Sequence, residues 1–214
     1  MADLDTPASR ALDPAEPLRD ELAELEVVAS DLVYDGMVWD VRSDTVRYGN
    51  GEIVRQYIDH HGASAIVAVD EDDRVLLIQQ YRHPIRHRDW EIPAGLLDVP
   101  GESPLETARR ELAEEVDLVA DEWRPLVSLF PTPGGSDEVV HVFLARGLTA
   151  VGHAHAREAE EADIRIEWVP LADAVTGVLE GRLRNGILAT SLLAAAETLR
   201  RTAAASASFA GAAE

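Results

Sequence analysis

The residues best placed to do chemistry are three carboxylates in one short stretch, Glu111, Glu114 and Glu115. On a helix, Glu111 and Glu115 lie four apart and share a flank, with Glu114 a step further round. Like charges at that spacing destabilise a bare helix by roughly 0.2–0.5 kcal/mol per pair. A hard divalent cation between the oxygens gives the arrangement a reason, and magnesium takes one or two carboxylates together with waters and phosphate oxygens. The competing reading is an ordinary solvated acidic face, and the three residues alone do not decide between the two.

The stretch from residue 103 to 116 has its own reasons to be helical. Ser103 is a good N-cap, Pro104 fits the first helical position, and Glu106 completes an S-x-x-E capping box. Leu105, Ala108, Leu112 and Val116 recur at helical spacing and form a stripe to bury. Around this helix the apolar patterning predicts strands at 25–31, 36–48, 52–60, 64–70, 74–81, 124–130, 138–145 and 163–169. Asn50-Gly51 reads as a hairpin turn, since both residues tolerate positive φ. Helices are expected near 171–181 and 186–200. The class is α+β, with mixed β-sheets sandwiched between helices and an N-terminal antiparallel strand subdomain. The expected organisation is a disordered leader over 1–20, an N-terminal strand region over 21–61, a catalytic domain over 62–201 and a frayed small-residue tail over 202–214.

Composition narrows the partners. With 19 Lys+Arg against 40 Asp+Glu, the formal charge is −21, which repels nucleic acid and anionic lipid. An anionic substrate must then be met by local arginines or bound metal. The absence of cysteine excludes disulfides, zinc-thiolate sites and thiol nucleophiles. The first residues do not read as a secretory signal and no stretch reaches the ~18 apolar residues of a membrane span, so a cytoplasmic protein is expected. The histidines do not make a zinc site. His83 and His87 are separated by the helix breaker Pro84, His60 and His61 point to opposite faces of a strand, His141 stands alone, and His153 and His155 sit in a polar loop. Trp90 and Trp168 read as core aromatics.

The segment GLLDVPGESPLETARRELAEEVDL, from Gly95 to Leu118, resembles the Nudix signature. Glu102, seven residues, then Arg110-Glu111-Leu112-Ala113-Glu114-Glu115-Val116 fits it residue by residue, and Leu118 closes it. Two positions depart: six residues rather than five separate Gly95 from Glu102, and Asp117 stands in place of the second glycine. The insertion falls before the helix. Asp117 bears on how the chain leaves it, because a helix-ending residue often needs a left-handed conformation. The resemblance extends to QQYRH and WEIPAGLLD between Gln79 and Asp98, to PTPGGSDE between Pro131 and Glu138, and to the AEEADI run over 159–164. These resemble the ADP-ribose pyrophosphatase branch.

That resemblance implies a function: magnesium-dependent hydrolysis of the pyrophosphate bond of ADP-ribose to AMP and ribose 5-phosphate, with manganese a possible substitute for magnesium. It implies that Glu111 and Glu115 are the principal metal ligands, with Glu114 and the carbonyl of Ala94 joining them. Glu102 is expected beside the metal site, and Arg110 is expected to hold the glutamates rather than touch substrate. Substrate contacts fall to Arg82, whose planar fork suits phosphate, and to Glu138, which is expected either to accept from ribose or to position Arg82, with Pro133 a marker of the substrate class. The alternative for Arg82 is an ordinary exposed strand-end arginine. Gly134-Gly135 is expected to make the loop around Pro133 flexible. One of Glu160 and Glu161 is expected to act as general base, Glu160 being favoured; the alternative is a solvated acidic loop. Relatives of this branch are homodimers, so Arg42 and Arg55 become candidates for reaching a partner's active site. Two other readings stand beside this one: a Nudix pyrophosphatase for another nucleotide sugar, a dinucleotide or an oxidised nucleoside diphosphate, and a non-catalytic Nudix-like ligand sensor.

Overall fold

The computed structural model describes residues 17–152 and 163–210, with side chains described to residue 206. Residues 17–26 carry no regular structure. Three antiparallel strands follow, β1 (Val27–Tyr34), β2 (Asp40–Tyr48) and β3 (Gly51–Asp59), in the order β1-β2-β3. Tyr48 pairs with Gly51, so Gly49 and Asn50 make the turn, and Gly49 takes the positive φ of 59°. The turn is therefore one residue earlier than Asn50-Gly51, because glycine takes the left-handed position at the least steric cost.

The rest of the chain builds two sheets between helices. One has the order β7-β4-β9-β8 and the other β10-β5-β6. Their strands are β4 (Ala63–Ala68), β5 (Arg74–Arg82), β6 (His87–Glu91), β7 (Ala94–Leu96), β8 (Leu118–Leu129), β9 (Val140–Ala150) and β10 (Arg165–Pro170). The helices are α1 (Pro104–Val116), α2 (Leu171–Leu179) and α3 (Gly186–Ala210).

β4 lies at the centre, parallel to β9 and antiparallel to β7, and all six of its residues are buried. Its side chains alternate between two cores, as a strand buried on both faces must. Ala63, Ala65 and Val67 join Leu188, Leu192 and Ala195 of α3 on one side. Ile66 and Ala68 join Ala108, Leu112 and Val116 of α1 on the other. Ser64 also faces α1, where its hydroxyl donates to the carbonyl of Pro104 at 2.7 Å. Helix, sheet and helix thus form the sandwich that the patterning predicts. Trp90 and Trp168 are half-buried against the two cores.

Three departures have physical reasons. The short strands β6 and β7 are absent from the sequence reading because HRDWE and AGL carry no alternating apolar signal; pairing with β5 and β4 makes them strands. β8 starts at Leu118 rather than 124, extended by its pairing with β9. α3 runs on to Ala210, through the segment from Thr202 read as frayed. Alanine-rich sequence sustains a helix by intrinsic propensity where no apolar stripe marks it.

Candidate active site

The α1 helix starts as its sequence requires. The Ser103 hydroxyl accepts from the Glu106 N–H at 3.3 Å, and the Glu106 carboxylate accepts from the Ser103 N–H at 2.8 Å. At the other end Asp117 takes φ 56° and ψ 35°, and its N–H closes the last turn on the carbonyls of Ala113 and Leu112. An aspartate occupies the left-handed position usual for glycine, and the chain turns directly into β8.

With Ala108, Leu112 and Val116 buried, Glu111 and Glu115 fall on the flank facing β7, with Glu114 further round and half exposed. Glu115 is only 7% exposed, and its Oε2 accepts from the Ala94 N–H at 3.0 Å. Gly95 packs against Glu111 so closely that a Cβ there would overlap the Glu111 carboxyl group. The first glycine of the signature is thus explained by close approach.

Arg110 gathers the other carboxylates. Its Nη1 donates to Glu111 Oε1 at 2.6 Å and to Glu114 Oε2 at 3.0 Å, and its Nη2 donates to Glu102 Oε2 at 3.0 Å. Thr107 Oγ1 also donates to Glu102, at 3.0 Å. The Arg110 bonds hold the Glu102 carboxyl below the usual carboxylate range, assisted by Thr107. Reciprocally, Glu102 first and then Glu111 and Glu114 raise the Arg110 guanidinium above its ordinary value.

The donor set fits a hard divalent cation in kind, since Glu111, Glu114 and Glu115 offer only oxygens. Among the described residues, however, no group of three or more His, Asp or Glu side chains converges on one point as a metal cage would. Arg110 bonds one oxygen each of Glu111 and Glu114 and so holds both carboxylates on this flank of the helix.

The remaining expected residues fall in three places. Arg82, at the end of β5, is held by Glu91 of β6: Nε to Oε1 and Nη2 to Oε2, both 2.7 Å. Glu138 lies near His60, with its Oε1 3.8 Å from His60 Nε2. Pro133 is exposed in the turn between Thr132 and Gly135. That loop is tied to β3 on its C-terminal side. The Ile58 N–H donates to the Gly135 carbonyl at 2.9 Å, the Asp137 N–H to the Ile58 carbonyl at 3.3 Å, and the His60 N–H to Asp137 Oδ1 at 2.8 Å. The loop is thus bonded to the end of β3 at Gly135 and Asp137.

Arg42 pairs with Asp59 across the N-terminal sheet, and Arg55 donates to the Val54 carbonyl on an exposed strand. Neither joins the α1 carboxylates within one chain. Glu160, Glu161, His153 and His155 lie outside the described residues.

Three neighbours of these residues carry contacts that the sequence reading did not give them. Glu91 holds Arg82. His60 faces Glu138, and its Nδ1 accepts from the Gly62 N–H at 3.0 Å. Trp39 stacks on His60, ring centres 5.8 Å apart, and is itself 45% exposed. Only Glu91 carried a local signal, as the acidic residue of WEIPAG ahead of Ala94.

A glutamate-bearing helix flank laid against a strand turn, inside a helix–sheet–helix sandwich, defines the class of protein. Residues 59–188 match the model of the NUDIX domain, and the chain belongs to the Nudix family. An ADP-ribose pyrophosphatase of Mycobacterium tuberculosis (strain ATCC 25618 / H37Rv) is 45% identical over 80% of this chain and 83% of its own length. An ADP-ribose pyrophosphatase of Bacillus subtilis (strain 168) is 34% identical over 71% of this chain and 82% of its own. A solved structure of an ADP compounds hydrolase shares the fold, with a TM-score of 0.70 at 23% identity, covering 86% of this chain and 98% of that one.

Proposed function

We propose that this chain hydrolyses the pyrophosphate bond of ADP-ribose, giving AMP and ribose 5-phosphate, and that it does so with magnesium, manganese being able to substitute. The observation that carries the reading is the complete carboxylate set on α1, laid against Ala94 and Gly95. It occurs in a chain 45% identical to an ADP-ribose pyrophosphatase over most of both lengths.

Glu111, Glu115, Glu114 and the carbonyl of Ala94 would hold the metal. A bound divalent cation would neutralise the pyrophosphate oxygens and orient the bond to be broken. Arg110, anchored on Glu102, keeps the glutamates in place. Arg82 meets a phosphate oxygen and Glu138 accepts from a ribose hydroxyl, with Pro133 shaping the loop beside them. Water adds to one phosphorus, the bridging oxygen leaves with the other phosphate, and the proton lost by the water passes to Glu160 or Glu161. Positioned proton transfer of this kind contributes ~10²–10⁴-fold in rate.

The working form is proposed to be a cytoplasmic homodimer. All eight residues of β1 are exposed in the single chain, including Val27, Val28, Leu32, Val33 and Tyr34. Arg42 and Arg55 stand on the same sheet, as residues that could reach a partner's site. No described helix is long and apolar enough to cross a membrane, and a charge of −21 is unsuited to nucleic acid.

The test is a panel of nucleotide sugars, dinucleotides and oxidised nucleoside diphosphates, assayed with and without magnesium, with product phosphates identified. ADP-ribose is expected to give the highest kcat/KM and to yield AMP only when metal is present. A tenfold preference for a GDP-sugar or a dinucleotide, about 1.4 kcal/mol in transition-state binding, would overturn the substrate while leaving the reaction class. Absence of any turnover with metal would favour a ligand sensor.

A further inference from the structure

We propose that Glu91 is a positioning residue for substrate: its buried carboxylate fixes the Arg82 guanidinium in the orientation in which that side chain meets the pyrophosphate. The inference rests on the proposed pyrophosphatase reading, and on Arg82 as a substrate contact within it.

Ile78, Gln80 and Arg82 alternate onto one face of β5, and Glu91 lies opposite Ile78 in the β5–β6 pairing. Arg82 stands opposite His87 in the same pairing. It lies back along the sheet, past Gln80, to reach Glu91. Both ends of the pair are forked, with Nε on Oε1 and Nη2 on Oε2, each at 2.7 Å. Paired contacts of this kind fix the plane of the guanidinium as well as its position. Gln80 Nε2 adds a third donor on Oε2 at 3.3 Å.

The exposures are unequal, and that decides which partner serves which. Glu91 is 7% exposed, whereas the Arg82 side chain is 46% exposed. A buried carboxylate cannot turn to solvent and must be paired, so it acts as the fixed post. The arginine is the member that can present an edge outward. An arginine already held in place loses less freedom when it meets an anion than one waving from a strand end.

The post is also tied to the metal helix. Three residues after Glu91 comes Ala94, whose N–H is bonded to Glu115. Between them, the Pro93 carbonyl accepts from the Ile66 N–H at 2.8 Å, which anchors this stretch to the central strand. One short run of backbone thus sets the Arg82 fork and the Glu115 carboxylate relative to each other.

The test is a double-mutant cycle of Glu91→Gln, Arg82→Ala and the double variant, following kcat and KM with whichever substrate the wild-type protein turns over fastest in the panel. A failure of the ADP-ribose reading appears in the panel and leaves the cycle usable. Arg82→Ala is expected to lower kcat/KM at least tenfold. Glu91→Gln is expected to lower it about fivefold or more, and by less than about twofold once Arg82 is gone, since coupled residues are not additive. Glu91→Asp keeps the charge on a shorter arm and is expected to lose less, again only when Arg82 is present. It keeps the test open should Glu91→Gln unfold, which thermal melting reports. Equal losses in the two backgrounds would show that Glu91 acts elsewhere. A normal kcat/KM in Glu91→Gln beside an impaired Arg82→Ala would show that Arg82 orients itself. A normal Arg82→Ala would leave nothing to be positioned. Each of these three results overturns the proposal.

Discussion

Glu115 sits where α1 meets β7, nearly buried and bonded to the Ala94 N–H. Replacing it with glutamine keeps an oxygen for that N–H and much of the shape, so the fold should survive. The charge that a cation would meet is lost. Turnover of Glu115→Gln at saturating magnesium is expected to fall by at least about a hundredfold, since losing even residues that merely support a metal ligand typically costs 10–100-fold. Near-wild-type turnover with an unchanged circular dichroism spectrum would remove Glu115 from the metal set. At this scale much of the site was readable from the chain. The spacing of Glu111, Glu114 and Glu115 and the capping residues follow from one helix, where position in sequence is position on a face, whereas the supporting role of Arg110 came from the resemblance alone. What was not readable joins distant parts. Glu91 meets Arg82 across a strand pair, and His60 faces Glu138 from 78 residues away, separations that no local pattern encodes.

Among the elements, α1 was legible because stripe, cap and charge agreed, whereas β6 and β7 become strands only through their neighbours. The helix α3 continues past Thr202 where residues 202–206 are exposed, so alanine propensity rather than an apolar stripe carries it there. The turn between β4 and β5 is held by Asp70. Asp70 Oδ1 accepts from the N–H groups of Asp72 and Arg74, at 3.0 and 2.8 Å, and its Oδ2 takes the Arg74 guanidinium at 2.7 Å. Partial burial pushes the Asp70 carboxyl up, but these bonds outweigh it and hold the group below its ordinary 3.8. A carboxyl depressed on folding contributes stability above its unfolded value and loses it as pH falls through the folded one. Asp70→Asn is therefore expected to cost about 1 kcal/mol at pH 7, at the low end for bonds to a charged group because Arg74 is half exposed. The gap to the wild type should close as pH falls below about 4. Chemical denaturation at pH 7 and at pH 3 checks it, and a gap that stays constant across that range would refute the charge-based account.

For the whole molecule, the N-terminal sheet is the part least explained by a single chain. Its first strand is exposed along its length, and an apolar row of that kind on an edge strand calls for cover. Under the proposed dimer, Leu32→Asp places an uncompensated charge in that row and should convert a dimer into a monomer at micromolar concentration, read by sedimentation velocity. A wild-type chain that is monomeric there would refute the dimer, and a variant that stays dimeric would move the interface off β1. The same sheet is also stitched to the loop carrying Pro133 and Glu138, through the backbone bonds of Ile58, Gly135 and Asp137. Those bonds are expected to make the loop and the end of β3 open together in local unfolding. Under the proposed ribose contact of Glu138, a perturbation that frays the N-terminal sheet is then expected to loosen the sugar as well, and the amide protons of Ile58 and Asp137 should be released to solvent in the same event.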